Sequence, residues 1–403
     1  MTTLNLFWFV ICLIKSVVFG KMKTLLLITL TILAVICLRL EAFPRRPKLN
    51  QIMLNRLNED SLRTTELEKL LNKIKGKRDI PNVKLDGSGV QSKPKNAIVN
   101  HVVHIGIDGL KPACITNSST GSPNILHRLG KMGTSTMVNA RTTIQTVSAP
   151  GWSTTLCAMA PTSTGAISNS WTAPWLGTTQ DITPVTGNAH PMPCVFGTIK
   201  SQSPDTKTAA FYDWSWFVNL GNKSIPGSLD VDYFANPGGR DNGYGDADEE
   251  IATEAVKYLK ATLPSSQSSY SFVYFGNVDE TGHGYGWCGP EYETEVGTVD
   301  KLVGQVLDAI DDVNMTSQVL VMLSADHGGD VGTKSHGFQD DQCLIIPMFL
   351  RGPMIKRDYK FQVEVRNEDM APTGLYMMGL LPSVWWKGKP MTEAFIPPPP
   401  SPV

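Results

Sequence analysis

The sequence predicts an α/β domain of three layers, in which helices cover both faces of a mostly parallel central sheet. Three mostly apolar runs lack the strict alternation of a half-exposed strand: His101–Ile107, Ser271–Val278 and Gln318–Ala325. Such runs are typical of strands that are buried on both faces. Between the last two runs, apolar residues recur every three or four positions, the period of a helix that lies on a sheet: Val296, Val299, Val303, Val306, Leu307 and Ile310.

The first 42 residues have the features of a secretory signal. Met22-Lys-Thr precedes a 14-residue apolar run, Leu25–Leu38, which is shorter than the ~20 residues of a membrane-spanning helix. We therefore expect translation to start at Met22, cleavage near Ala42 and a secreted product, with a signal anchor as the alternative. The 403 residues suffice for one large domain or two small ones, and the net charge of −1 gives no reason to expect a nucleic-acid duplex as partner.

Residues 43–100 are predicted to be a basic propeptide or a linker. Residues 43–78 contain ten Lys or Arg and four Asp or Glu, with leucines at partly helical spacing. They end in Lys75-Gly-Lys-Arg78, which resembles a proprotein-convertase site, although the charge pattern fits a solvated linker equally well. The main domain is expected to span residues 101–395, and a Pro-rich, disordered tail, residues 396–403, to follow it.

Residues 146–156 predict a serine at the start of a helix. Pro150 is tolerated in a first helical turn, and the small residues Ala149 and Gly151 let the backbone turn tightly before the helix continues. At a helix N-terminus, unpaired amides and the helix dipole favour an ionised oxygen and an arriving phosphate. Ser148 is therefore a candidate nucleophile. The alternative role is a helix N-cap, where serine is common.

Three aspartates follow the three apolar runs: Asp108, Asp279 and Asp326. Ligands of parallel sheets bind beyond the carboxyl ends of the strands, so these carboxylates are expected to be neighbours in space. Three histidines accompany them in the sequence: His283, His327 and His336. Carboxylate oxygens and imidazole nitrogens suit zinc, and two metals can hold the attacking and leaving oxygens of a displacement. Structural roles are expected for the remaining histidines: His101, His104 in its strand, His127 and His190.

Several other segments carry weaker predictions. Asp246-Ala-Asp-Glu249 has the spacing of a capping box that opens a helix to Lys260. An aromatic segment lies between the nucleophile and this helix, and its rings pack in the core or, alternatively, stack on a substrate: Trp171, Trp175, Trp214, Trp216, Tyr233 and Tyr244. Three Asn-x-Ser/Thr triplets, at Asn117, Asn222 and Asn314, are compatible with glycosylation.

Five cysteines remain after the signal region, so at least one thiol stays free or pairs with another chain. Cys288 and Cys343 are both expected in loops near the metal edge, and they are the first pair to expect in a disulfide. Cys157 lies inside the helix that follows Ser148, and it is expected to be a buried apolar thiol.

These motifs resemble the alkaline phosphatase superfamily and, within it, the type I phosphodiesterase/nucleotide pyrophosphatase branch. The matching pieces occur in the family's order: Asp108-Gly-Leu, Ser122-Pro-Asn with Leu129-Gly, Thr146-Val-Ser-Ala-Pro-Gly-Trp, Asp279-Glu-Thr-Gly-His, Ala325-Asp-His-Gly-Gly and Ser335-His-Gly. The resemblance covers residues 100–390 and implies an alkaline phosphatase-like fold. It also implies two divalent metal ions, expected to be Zn²⁺.

The resemblance implies two ligand sets. One metal would be held by Asp279, His283 and His336. The other would be held by four residues: Asp108, Asp326, His327 and the Ser148 oxygen. Asn169 falls where many relatives place an asparagine that donates to the phosphate, with a surface turn as the alternative role.

We therefore predict a secreted two-metal hydrolase of phosphoric esters that acts through a phosphoseryl intermediate. Its substrate would be a small phosphate ester or a nucleotide, and no membrane span is expected. Nucleotide pyrophosphatases usually carry Thr followed by Phe-Pro-Asn-His at the nucleophile, so the Ser148 segment leaves monoester and diester open. Sulfatases carry Arg at the position of Trp152, which argues against that activity. The alternatives are a secreted binding or matrix protein with the same fold and a phosphonate hydrolase.

Overall fold

The computed structural model describes residues 97–173, 194–221 and 227–396. Several predictions fall outside these residues: the signal region, residues 43–96, Trp175, His190, Asn222 and the tail from Pro397. None of the described helices is long and apolar enough to cross a membrane.

The domain is built on an eight-stranded sheet. Its strands are β1 (His101–Ile107), β2 (Thr134–Thr136), β4 (Lys207–Tyr212), β5 (Val231–Phe234), β6 (Ser269–Phe275), β7 (Val319–Ser324), β8 (Met348–Arg351) and β9 (Tyr359–Lys360). The spatial order is β5-β4-β6-β1-β7-β8-β2-β9. The first five strands in this order are parallel, and β8 is antiparallel to both β7 and β2. Two further strands, β3 (Ala140–Arg141) and β10 (Val365–Arg366), pair in a small parallel sheet.

The three central strands confirm the interpretation of the apolar runs. β1 pairs with β6 and β7 in register, so that His101 lies beside Ser269 and Val319. Every residue of these three strands is buried. A strand that is covered on both faces has no solvent-facing positions, which explains why its apolar residues do not alternate with polar ones.

Nine α-helices are described: α1 (Pro112–Asn117), α2 (Ser148–Cys157), α3 (Pro161–Thr164), α4 (Val195–Gln202), α5 (Tyr244–Thr262), α6 (Asn277–Tyr285), α7 (Pro290–Asp312), α8 (Asp341–Leu344) and α9 (Met370–Met377). A π-helical segment, Asn124–Lys131, and three 3₁₀ segments, Ser215–Asn219, Asn367–Asp369 and Thr392–Ala394, complete the described helical structure. In one group of helices, α9 contacts α2, α4 and strand β7. A second group, α5, α6 and α7, contacts the sheet through α5 on β4 and β6. The predicted α/β fold with a mostly parallel central sheet is confirmed.

The predicted periodicity of α7 is confirmed, whereas the predicted start of α5 is wrong. All six periodic residues of α7 are buried. Helix α5 begins at Tyr244 after the N-cap Gly243, so Asp246 lies inside its first turn. The Asp246 carboxylate accepts a hydrogen bond from the Asn242 backbone N–H instead of capping the helix. Gly243 has a φ of 52°, and this left-handed residue starts the helix earlier than the capping-box spacing predicts.

The predicted disulfide is wrong. Cys288 pairs with Cys114, and Cys157 pairs with Cys194, while Cys343 is buried and pairs with no cysteine of the described residues. The sequence places Cys288 and Cys343 in similar loops, but Cys343 lies in the short helix α8 and is fully buried. Helix α1 brings Cys114 to Cys288 across 174 residues of sequence, a proximity that local patterns do not encode.

The aromatic segment packs mainly on itself. The rings of Trp214 and Trp216 stack with centroids 5.1 Å apart, and Trp171 lies 6.1 Å from Trp216. Tyr233 packs against Phe211 at 5.9 Å. These contacts favour the packing interpretation over the stacking of a substrate.

Candidate metal-dependent active site

Ser148 is the first residue of α2 and is not the N-cap. The N-cap is Val147, which has an extended backbone and makes no side-chain capping bond. All ten residues of α2 are buried, and Ser148 is 6% exposed. Its Oγ lies 3.4 Å from Nε2 of His327. The hydroxyl therefore faces the histidine and carboxylate cluster instead of serving the helix backbone.

The first turn of α2 offers fewer free amides than the sequence suggests. The Ala149 N–H donates to Oδ1 of Asn169 at 2.9 Å, and the Gly151 N–H donates to the Val147 carbonyl at 3.0 Å. Pro150 has no N–H. Asn169 is exposed, and its carboxamide is thus held at the end of the helix that carries Ser148.

Gly151 is required for a close approach and not for a turn. A Cβ atom at this position would lie 2.7 Å from the carbonyl oxygen and 2.8 Å from the Cβ of Asp326. Glycine therefore lets α2 pack directly on the segment that follows β7. The sequence suggested that this glycine lets the backbone turn tightly, whereas the structure gives it a tertiary role.

The three aspartates converge, although one of them is placed differently than predicted. Asp108 directly follows β1, and Asp326 lies two residues after β7. Asp279 does not end a strand, because β6 stops at Phe275 and α6 begins at Asn277. Asp279 belongs to the first turn of α6, where the helix dipole favours a carboxylate.

Each of these carboxylates keeps one buried oxygen without a hydrogen-bond donor among the described residues: Oδ1 of Asp108, Oδ1 of Asp279 and Oδ2 of Asp326. All three oxygens surround the fully buried Nε2 of His327, at 3.4, 3.8 and 3.2 Å respectively. A buried carboxylate oxygen that receives no proton donor is costly unless a cation compensates it. These oxygens fit a site for positive ions.

The three histidines present the same nitrogen to the site. In each ring, Nδ1 lies within hydrogen-bond distance of a backbone carbonyl: Lys334 for His283, Gly328 for His327 and Thr146 for His336. Carbonyl oxygens only accept, so Nδ1 carries the proton in each ring, and in the neutral imidazole Nε2 keeps its lone pair. Nε2 of His283 and Nε2 of His336 lie 3.1 Å apart, an approach that either a proton or a metal ion between the two nitrogens accounts for, and the Asp279 carboxylate raises the pKa of His283 to about 9.

Burial and mutual charge shift the pKa values of this cluster. Burial raises the pKa of Asp108, Asp279 and Asp326, that of Asp279 to about 7, and the charge of Asp108 raises the pKa of Asp279 and of Asp326 further. Burial lowers the pKa of His327 and of His336 to about 3, which keeps both imidazoles neutral and able to bind a metal.

Among the residues that the structure describes, two groups of side chains have potential metal-ligand atoms within 4.8 Å of one another. The first group is Asp279, His283 and His336, which is the set that the family resemblance implies. The second is Asp108, Asp279 and His327, in which Asp279 stands where the resemblance implies Asp326. Asp326 remains beside this group through its 3.2 Å approach to His327. The donors present therefore fit divalent metal ions.

Two residues to which the sequence analysis gave no role in the site contact it. Nε1–H of Trp152 and the hydroxyl of Tyr274 both donate to Oδ2 of Asp108, at 2.9 and 2.6 Å. Trp152 follows the nucleophile by four residues, so its helix position was a usable signal. Tyr274 lies in a buried strand among other apolar residues, and no feature of the sequence distinguished it from them.

An acidic cleft of about 480 Å³ opens beside α6. Three of its lining residues are glutamates: Glu280, Glu291 and Glu295. Its described lining contains no Lys or Arg. Glu280 is adjacent in sequence to the candidate ligand Asp279, so this negative charge lies close to the site.

Comparisons with known proteins agree with this architecture. The sequence profile described as type I phosphodiesterase/nucleotide pyrophosphatase matches residues 102–367, more than half of the chain. No curated protein matches the sequence significantly. Among solved structures, Ps i-CgsB is similar with a TM-score of 0.56 and 16% identity, over 74% of this chain and 76% of that chain.

Two other solved structures share the fold at similar levels. A 2-O GAG sulfatase has a TM-score of 0.55 and 14% identity over 74% of both chains. A protein solved with its substrate D-glucosamine-2-N,6-O-disulfate has a TM-score of 0.55 and 12% identity, over 74% of this chain and 80% of that chain. At such identities the likeness concerns the fold alone. The profile match shows that this chain is a hydrolase of the alkaline phosphatase superfamily and belongs to the type I phosphodiesterase/nucleotide pyrophosphatase family.

Proposed function

We propose that the protein hydrolyses phosphoric esters and that Ser148 is the nucleophile. One observation carries the proposal: the Ser148 hydroxyl lies 3.4 Å from Nε2 of His327, around which three buried carboxylates each hold an oxygen without a donor. A serine beside a site built for cations is the arrangement that nucleophilic phosphoryl transfer requires.

The metal ligands in this proposal follow the family assignment. Asp279, His283 and His336 would hold one ion. Asp108, Asp326, His327 and the Ser148 oxygen would hold the other. When bound, the ions offset the carboxylate charge, lower the pKa of the Ser148 hydroxyl and stabilise charge on the leaving oxygen.

The remaining chemistry belongs to the chain itself. Oγ of Ser148 forms a bond to phosphorus while the bond from phosphorus to the ester oxygen breaks. Water then hydrolyses the phosphoseryl enzyme and releases phosphate or its monoester. Asn169 is held by the Ala149 N–H through Oδ1, so its NH₂ group is left to donate to a phosphate oxygen.

Two features bear on the substrate: the first supports an ester of low negative charge, and the second argues against a sulfate ester. The acidic cleft beside α6 would disfavour a polyanionic leaving group, such as a nucleotide phosphate, that lay along it. At position 152, where sulfatases carry Arg, the chain has a fully buried tryptophan. The two disulfides support secretion, because such bonds persist in oxidising compartments.

The test is hydrolysis of nitrophenyl phosphate, bis-nitrophenyl phosphate and nitrophenyl sulfate by protein secreted from a eukaryotic host. Turnover should disappear on chelation, return with zinc and be lost in Ser148→Ala. Ser153→Ala is the matched control, because Ser153 is buried in the same helix and bonds only its own helix backbone at Pro150. The ratio of the two phosphate rates assigns the enzyme as phosphatase or phosphodiesterase.

Three results would contradict the proposal. Faster sulfate than phosphate hydrolysis would make the protein a sulfatase. Equal activity of Ser148→Ala and Ser153→Ala would remove Ser148 from the mechanism. Tightly bound zinc without turnover of any ester would favour a binding protein or a phosphonate hydrolase.

A further inference from the structure

The two oxygens of the Asp108 carboxylate have different surroundings. Oδ2 accepts hydrogen bonds from Nε1–H of Trp152 and from the hydroxyl of Tyr274. Oδ1 receives no donor among the described residues and lies 3.4 Å from Nε2 of His327. One oxygen is thus occupied by two neutral donors, and only the other is available to the cation site.

Both donors are fixed by close packing. Trp152 is fully buried, and a Cβ added to Gly106 on β1 would lie 2.6 Å from Cη2 of its indole. The Trp152 ring meets Tyr274 edge-on, with centroids 5.4 Å apart and an interplanar angle of 81°. Tyr274 lies on β6 directly beside Gly106. The indole therefore cannot rotate away from Asp108 without moving two central strands.

Trp152 also connects this carboxylate to the nucleophile. It lies four residues after Ser148 in α2, about one helical turn away on the same face. A single rigid helix therefore holds both the Ser148 hydroxyl and the donor that orients Asp108. A shift of this helix would move both groups together.

We propose that Trp152 and Tyr274 are positioning residues that make Asp108 a one-oxygen metal ligand. Through Trp152, they also fix the position of Asp108 relative to Ser148. The inference deepens the proposed function, because it assumes that the cluster binds a divalent metal. The two donors block Oδ2, so Asp108 binds through Oδ1 alone. Outer partners of this kind typically change metal affinity 10- to 100-fold when they are removed.

The experiment measures zinc affinity by competition with a chelating dye, with Ser148 intact and without any ester present, so that turnover plays no part. Tyr274→Phe removes one hydroxyl. It should weaken the affinity for the zinc ion that Asp108 holds, which is one of the two measured affinities, by about 10-fold or more. Tyr270→Phe is the matched control. Tyr270 is a fully buried tyrosine on the same strand, and its hydroxyl bonds His104.

Trp152→Phe is the second test, with Trp216→Phe as its control, because the Trp216 indole donates to the Trp171 carbonyl away from the site. Cobalt substitution adds a spectroscopic readout. In Tyr274→Phe, Oδ2 keeps only the Trp152 donor and can approach the metal. This should raise the coordination number and weaken the visible absorption of Co²⁺, while Tyr270→Phe keeps the parent spectrum.

The inference fails if Tyr274→Phe retains zinc affinity within twofold and an unchanged cobalt spectrum. It also fails if Tyr270→Phe loses zinc to the same extent, because the effect would then be general destabilisation. If Trp152→Phe does not fold, Tyr274→Phe alone decides. Absence of ester hydrolysis in the parent enzyme would overturn the proposed function but would leave this zinc measurement interpretable.

Discussion

Gly151→Ala tests whether the close approach of α2 to Asp326 sets the site. The added methyl would lie 2.7 Å from a backbone carbonyl, whereas ordinary contact begins at 3.4 Å, so the segments must separate by about 0.7 Å. The obstacle is backbone and cannot rotate aside. Both sides are also held, since Asn367 donates to the Gly151 carbonyl and to Thr142, and Thr142 donates to the Asp326 carbonyl.

The expected consequence is a displaced nucleophile. A misplacement of 1 Å in an active site costs on the order of 100-fold in rate, so a shift near 0.7 Å should lower kcat/KM by roughly 10- to 100-fold. The direction is informative because alanine in a helix is otherwise more favourable than glycine by about 1 kcal/mol. Gly151→Ala should therefore lose both activity and melting temperature against the intrinsic helical preference.

The assay is kcat/KM for the better nitrophenyl ester, together with thermal unfolding. Gly284→Ala is the matched control, because Gly284 is a helical residue of α6 with no atom within 4 Å of an added Cβ. This variant should keep its activity and its stability or gain stability. The reasoning is refuted if Gly151→Ala keeps kcat/KM within twofold and melts no lower than the parent.

Three further predictions concern stability. The Cys114–Cys288 disulfide closes a loop of 174 residues, and Cys157–Cys194 closes one of 37. Cys114→Ser should therefore lower the free energy of unfolding in urea by about 5 kcal/mol and Cys157→Ser by about 4 kcal/mol. A larger loss in Cys157→Ser than in Cys114→Ser would contradict the dependence on loop length. Burial lowers the pKa of His104 from 6.5 to about 3, so only the unfolded chain gains this proton as the pH falls below 6.5. Between pH 7.5 and pH 5, the free energy of unfolding of the parent should then fall by about 2 kcal/mol more than that of His104→Gln. Parallel plots of unfolding free energy against pH would disprove this. Burial and the charge of Asp248 raise the pKa of Asp213. The contribution of its protonated carboxyl to the free energy of unfolding is therefore fully present below pH 3.8 and is lost as the pH rises. As the pH rises above 3.8, Asp213→Asn should therefore gain on the parent in unfolding free energy by up to about 1.4 kcal/mol per pH unit, and a constant difference would rule this out.

Much of the fold could be predicted because burial leaves a local trace. The three central strands are buried on both faces, and their sequences accordingly lack alternation. Helix α7 lies against the sheet, and its apolar residues recur with the helical period. In each case the environment acts on consecutive residues, so a short window of sequence records it.

The candidate site residues were recognisable for a chemical reason. Three aspartates, three histidines and a serine at the start of a helix are the residue types that metal binding and nucleophilic displacement need. The parallel arrangement of the strands then brings their carboxyl ends together. Local patterns placed Asp279 at a strand end, however, and could not see that the chain turns at Gly276 into α6.

The sequence by itself determined the buried strands, the helical periods and the chemical identity of the groups at the sheet edge, because those properties depend on neighbouring residues. Only the tertiary structure decided the pairing of Cys114 with Cys288, the need for glycine at position 151 and the two donors on Asp108. Each of these depends on residues that are distant along the chain and meet only when the sheet and its helices pack. Such meetings are set by the shape of the whole domain, and no local segment contains that information.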